Sequence, residues 1–486
     1  MPVPDSRIRA ANVRPLRPSA RFVLYWMTAF RRTSSNFALE RAVELARAFS
    51  KPLVVLEALR VDYPHASDRL HRFVIEGMRD NARALASRRV SYFPYVETAP
   101  GAGQGLVATL ARDSCAIVTD DCPAFFLPRM LARAAATVRV RVEAVDSNGL
   151  LPMRAVPDPL KTARSFRAHM QRTLRTHLAD WPSPIAWDAL ASPVPIPKAV
   201  AARWPPVPRR VLDHPDGLIA RLPIDHGVGP AAMEGGPLAG RNALQRFVAD
   251  RLGSYAGESR HPDVEGTSGL SPYLHFGHVS AHDVFSAVMT TERWTSRRLA
   301  PPSGGRRDGW WGVSAGAEAF LDQLLVWREL ALNMCVTRPD DYGSYRSLPA
   351  WAQATLARHA DDARPWIYSR RALETAGTHD ALWNAAERQL VRDGWMHNYL
   401  RMLWGKKIVE WSPTPQTALA RMIAIMNRYA VDGRDPNSYA GYLWTLGRYD
   451  RPWGPERPIF GTVRYMSSES ARRKLHVRKF LAKYRP

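Results

Sequence analysis

The chain has 486 residues, of which 68 are Lys or Arg and 45 are Asp or Glu, giving a formal net charge of +23. That length exceeds what one hydrophobic core usually supports, so two or more packed units are expected, and the basic surplus points to a polyanion, nucleic acid first. Three cysteines, Cys115, Cys122 and Cys335, are too few for a disulfide framework and have no zinc spacing, which suits a reducing, cytoplasmic compartment.

Residues 1–20 carry Arg7, Arg9, Arg14 and Arg17 with no continuous apolar core, so a disordered basic arm is expected rather than a secretory signal. No window approaches the roughly 18 apolar residues of a membrane span. From Arg21 onward, short apolar runs alternate with helical periods. FVLYWM (22–27), PLVVLEAL (52–59), VSYFPYV (90–96), CAIVTD (115–120) and VRVRVEAV (138–145) have strand length and β-branched or aromatic content. Between the first two, Ser34 or Ser35 is expected to cap a helix with Phe37, Ala42, Val43, Ala46 and Phe49 on one face. This alternation predicts a Rossmann-like α/β domain over residues 21–148, with a parallel five-stranded sheet covered on both faces. GAGQG (101–105) lacks the G-x-G-x-x-G spacing and reads as a tight turn; a ligand site would still lie off the strand carboxyl ends.

Residues 149–235 are rich in proline and form a connector with one plausible helix, 160–178, that wraps over a domain. From 236 to 486 helical stretches follow one another: 242–252, 278–289, 315–335, 350–358, 379–392, 395–411 and 415–429. This second domain is read as all α. Its tail has eight Lys or Arg from Arg464 onward against the single acid Glu469, and forms a solvated or phosphate-contacting helix.

Within the second domain, the stretch EGTSGLSPYLHFGHVSAHDVF (265–285) raises three readings. Gly266, Thr267, Ser268 and Ser271 offer hydroxyls and free backbone donors ahead of a helix, which either hold a phosphate without a Lys or simply cap the helix. His275, His278 and His282 include pairs at helical spacing, but no third ligand is evident and Phe276, Val279 and Phe285 read as core, so no metal is expected.

The longer pattern TSGLSPYLHFGHVS, with Tyr255 upstream, resembles the flavin phosphate loop of the photolyase and cryptochrome family. WREL (327–330), LWNAAERQLVRDGWMHNYLRM (382–402), WGKKIVEW (404–411), DGRDPNSYAGYLW (432–444) and ERPIFGTVRYM (456–466) follow in the family order. The last segments look most like class II cyclobutane pyrimidine dimer photolyases. The resemblance implies an FAD-binding catalytic domain in which Tyr255, Thr267, Ser268, Gly269, Leu270 and Ser271 hold the diphosphate and ribityl, with Arg328 a further contact. It implies that Arg401 and Asp432 lie against the isoalloxazine ring, and that one of Asn398, Asn427 and Asn437 faces its N5; MHN at 396–398 is more like other classes. Trp383, Trp404 and Trp411 match an electron relay from the surface to the flavin. Trp327 and Trp444 match the walls that stack on a lesion flipped out of DNA.

The implied activity is light-driven repair of pyrimidine dimers in DNA by a monomer, with a deazaflavin or folate antenna possible in the first domain. Gln323 stands where the family usually has a glutamate that hydrogen-bonds the lesion; its amide donates but supplies no proton. A cryptochrome-like light sensor, or a photolyase for another lesion, is the alternative. A cofactor-free helical nucleic-acid-binding protein explains the charge but not the ordered motifs.

Overall fold

The five apolar runs form five parallel strands in the computed structural model, which describes residues 2–486: β2 (Phe22–Met27), β3 (Leu53–Leu59), β4 (Ser91–Val96), β5 (Ser114–Asp120) and β6 (Val142–Val145). Most of their side chains are buried on both faces, as expected of a sheet covered by helices on both sides. The sheet has a sixth strand, β1 (Ile8–Ala10), antiparallel to β6, and the order is β1-β6-β5-β2-β3-β4. The basic arm expected to be disordered is therefore an edge of the sheet. Arg7 makes it so: at 2% exposure its guanidinium donates to the carbonyls of Gly149 (3.1 Å) and Leu150 (2.6 Å), approaches Asp146 and lies over the Phe37 ring.

The direction of winding reverses between β2 and β5, and there the carboxyl ends open a crevice. Asp120, at the end of β5, accepts from the backbone N–H groups of Thr28 (2.7 Å), Ala29 (2.6 Å) and Phe30 (2.8 Å), which fixes the loop leaving β2. The helix Phe37–Ala48 is capped by Asn36, whose Oδ1 accepts from Ala38 and Leu39, not by Ser34 or Ser35; Ser35 sits at φ +47° and donates instead to Asp283. GAGQG is a turn, with left-handed φ at Gly101 and Gly105 and Glu97 accepting from Gly103 N–H.

The connector's one long helix, Ala163–His177, starts at a Thr162/Ser165 capping box. The rest of the segment lies on both halves, with Trp204 donating to Ala102 O and Phe166 buried in the helical core. Beyond it the chain is helical, with helices Pro237–Asp250, Ala281–Thr291, Ala350–Arg358, Ala381–Asp393, Asn398–Glu410, Pro415–Tyr429 and Pro436–Trp444 among the described residues. The basic tail is two short helices, Ser468–Lys474 and Arg478–Lys483, and its Phe480 and Tyr484 are buried in the core. The two halves are clasped. Buried Glu329, its carboxyl pushed up to about 7 by burial, accepts from Leu150 and Leu151 N–H, and Arg69 donates to Tyr429 O (2.6 Å) and Val391 O (2.7 Å).

Candidate active site and the tryptophan chain

The polar loop meets the DGRDPN segment at an ion pair whose carboxylate is buried. Ser271 opens a five-residue helix and donates to Asp432 Oδ2 (2.7 Å), while Arg401 Nη2 donates to Asp432 Oδ1 (3.0 Å). Burial alone would raise the Asp432 carboxyl, but the Arg401 charge and the hydrogen bonds of Ser271 and Arg401 outweigh it and hold the group ionised, below its ordinary range. Arg401 Nε is buried with no partner among the described residues. So short a helix contributes little dipole. The loop's donors are its own hydroxyls and amides: Thr267 and Ser268 are half-buried, Gly269 and Ser271 exposed, and a Cβ built on Gly269, at φ +69°, would meet nothing within 4 Å. Leu270 is buried, leaving only its backbone to face a ligand. Tyr255 packs edge-on against Phe247 and Phe320, and burial pushes its hydroxyl up to about 12.

The three histidines separate. His275 pairs with Asp435 (3.1 Å), His278 Nδ1 accepts from Gly236 N–H (3.0 Å), and His282 packs edge-on against Phe37 and Trp181.

Residues 315–337 run as one helix interrupted by a π segment, Asp322–Trp327. The wider turn leaves Gln323, Trp327 and Arg328 half-exposed while Leu324, Leu325, Val326 and Leu330 are buried, and such insertions recur at functional sites. Asp322 anchors it, taking a 2.8 Å hydrogen bond from Arg167 Nε. Arg328 donates to Asn148 O (2.7 Å), which places it at the domain boundary. The helix packs against Pro436–Trp444, whose accessible face carries Asn437, Gly441 and half-exposed Trp444; Gly441 also has open space at its Cβ position. A residue that sequence reasoning passed over flanks this wall. Lys406 lies 5.0 Å from the Trp444 ring centre and donates to Thr445 O (2.7 Å), with burial pushing its ammonium down to about 7. Its WGKK context carried no signal for that contact.

The three amide candidates are placed differently. Asn427 is buried and committed: its Oδ1 accepts from Arg434 N–H (2.8 Å) and its Nδ2 donates to Tyr439 OH (3.3 Å). Asn398 and Asn437 are exposed.

The structure brings Trp383, Trp404 and Trp411 together. Trp383 and Trp404 stack at 6.4 Å and 4°, and Trp411 meets Trp383 edge-on at 5.4 Å. Trp404 Nε1 donates to Glu387 Oε2 (2.6 Å), a buried carboxyl that burial pushes up to about 8 against that hydrogen bond. All three indoles are buried, at 0%, 1% and 1% exposure. Glu387 was also missed, since in the sequence it is one acid on an amphipathic helix.

A separate cavity of about 620 Å³ lies where the winding of the sheet reverses, lined by Trp26, Thr28, Tyr63, Met130 and Cys122 on one side and by His275, Arg328 and Asp435 on the other. It is off the strand carboxyl ends, as the topology requires, and none of Ser271, Asp432 and Arg401 lines it.

Fold and site together define the class: an α/β domain joined to an all-helical domain that carries a polar loop, an ion pair with a buried carboxylate and stacked indoles. The deoxyribodipyrimidine photo-lyase of Methanothermobacter thermautotrophicus is 33% identical to this chain over 98% of each, and that of Oryza sativa subsp. japonica is 33% identical over 98% of this chain and 90% of its own. That of Potorous tridactylus is 31% identical, over 97% and 82%. No family model matches. A class III photolyase from Agrobacterium tumefaciens shares the fold, with a TM-score of 0.65 at 17% identity, covering 96% of this chain and 86% of that one. The chain belongs to the deoxyribodipyrimidine photo-lyase family, as its motifs suggested.

Proposed function

We propose that the chain is a light-driven DNA repair enzyme that splits cyclobutane pyrimidine dimers, with FAD held in the helical domain. The observation that carries the reading is the Ser271–Asp432–Arg401 cluster: a loop of small residues and hydroxyls tied through buried Asp432 to a half-buried guanidinium whose Nε has a donor to spare. These residues fit a flavin dinucleotide. Thr267, Ser268 and the loop amides would hold the diphosphate, Arg401 would set a positive charge against the ring, and Asp432 would keep Arg401 oriented. Held there, reduced flavin would supply light-driven one-electron chemistry for opening the dimer, with no net redox change.

The chain's own residues do the rest. Photolyases are among the enzymes that draw their target nucleotides out of the duplex, and a distorted dimer costs less to unstack than normal bases. Trp327 and Trp444 provide flat, half-exposed walls to receive it. Arg464, 5.8 Å from Trp444, orients that wall through a cation–π contact and adds positive potential beside it, while the Lys406 amine packs 5.0 Å from the same ring. Gln323 sits four residues from Trp327 and donates an amide hydrogen bond to the lesion without a proton to give. Asn398 or Asn437, the two accessible amides, is the group suited to face the ring. A flat antenna pigment, deazaflavin or folate, fits the cavity at the sheet's switch point.

Reconstituted, chemically reduced protein is expected to restore thymine-dimer DNA under blue light. Gln323→Glu is expected to speed each turnover by about fivefold to tenfold, because a carboxyl group can pass its proton to the lesion as negative charge develops where the amide cannot. Dimers left intact by both proteins, with flavin bound, would transfer the assignment to the light-sensor reading, which Gln323 favours.

A further inference from the structure

The three indoles at 383, 404 and 411 form a chain that stops short of solvent, because its outermost member is 1% exposed. An electron leaving a solution donor needs another station. Two rings touch Trp411 from outside: Tyr368 edge-on at 5.3 Å and His379 at 5.4 Å. Tyr368 OH accepts from the His379 backbone N–H (3.0 Å) and shares a second hydrogen bond with His379 Nδ1 at 2.7 Å. The Tyr368 N–H donates to Trp411 O (3.3 Å), which ties this strip to the chain's end. Beyond lies Trp366. Its ring stacks on His379 at 4.8 Å and lies parallel to Tyr368 at 6.4 Å and 4°, and it is 53% exposed in a chain whose other large hydrophobics are mostly buried. No core requires it there.

We infer that Trp366 is the outer terminus of the relay, a fourth indole that passes an electron through the Tyr368–His379 pair to oxidised Trp411. The inference rests on the flavin reading above. One electron leaves Trp366 and refills Trp411; the Trp366 cation loses its indole N–H proton to water, and a small thiol in solution then reduces the neutral radical. Charge favours that direction. Lys407 Nζ lies 5.5 Å from the Trp411 ring centre, only partly offset by its pair with Glu410, so positive charge is poorly placed on Trp411, whereas water solvates it at Trp366.

The test is flash spectroscopy on flavin-loaded, oxidised protein, comparing wild type with Trp366→Phe and Tyr368→Phe. Separated charge is expected to recombine several-fold faster in Trp366→Phe, and thiol-supported photoreduction to fall in proportion. Peptide mass spectrometry after illumination in air is expected to find oxygen added chiefly at Trp366. Unchanged recombination in Trp366→Phe with oxidation elsewhere would overturn the terminus. Trp404→Phe separates the two levels: if it too recombines as wild type does, or if wild type holds no flavin, the relay reading itself fails.

Discussion

Glu387 is the residue whose chemistry is most exposed to test, since a carboxyl buried with an indole N–H as its hydrogen-bond partner is held mainly in its protonated form. Its pKa rises from 4.5 to about 8 on folding, so between those values the folded chain binds a proton that the unfolded chain has released. Stability then falls as pH rises through that window, by an amount on the order of a few kcal/mol. Glu387→Gln keeps an oxygen for Trp404 and removes the titration. The variant is expected to gain on wild type in thermal midpoint from pH 5 to pH 9. A constant difference between the two across that range would show that Glu387 does not carry this proton. Lys406 works in the opposite sense: with its pKa lowered from 10.5 to about 7, its contribution to stability rises with pH through that interval.

At the scale of elements, β1 and the π segment are the two features that local sequence did not announce. IRA is too short and too polar to read as a strand. It is one because its ladder to β6 and the Arg7 contacts with residues 146–150 supply the partners, more than 130 residues away. Arg7→Ala is expected to cost about 3 kcal/mol or more in denaturant unfolding, because buried Asp146 and two carbonyls lose their donor. By contrast, the helices Ala350–Arg358 and Pro415–Tyr429 have the expected bounds, since apolar periodicity and flanking Pro or Thr fix them locally. The polar loop was legible as small residues ahead of a helix. Its bond to Asp432, 161 residues on, was not legible: the family pattern placed the loop and Asp432 at one site without pairing them. Of the three amide candidates, spacing left all open, and it is tertiary contact that commits Asn427 to Arg434 and Tyr439.

For the whole molecule, the +23 charge is expected to govern association with DNA. Each phosphate neutralised releases condensed counterions, so the logarithm of affinity for dimer-containing duplex should fall linearly with the logarithm of salt, with a slope of about −0.9 per contact. A slope near zero in a binding titration across ionic strength would remove phosphate contacts as the main source of affinity. The halves are expected to act as one body in that complex, because buried Arg69 of the α/β domain donates to backbone carbonyls of the helical domain, and Glu329 holds the start of the connector. What the amino-acid order determined by itself was everything governed by short-range periodicity and motif: five strands, the succession of helices, the proline-rich connector and the family. Folding alone decided where the amino-terminal arm pairs, which amides stay free, and that the indole chain ends under a tyrosine, a histidine and an exposed tryptophan. Those outcomes depend on contacts between residues distant in sequence, and local pattern carries no information about which distant surface will bury a given side chain.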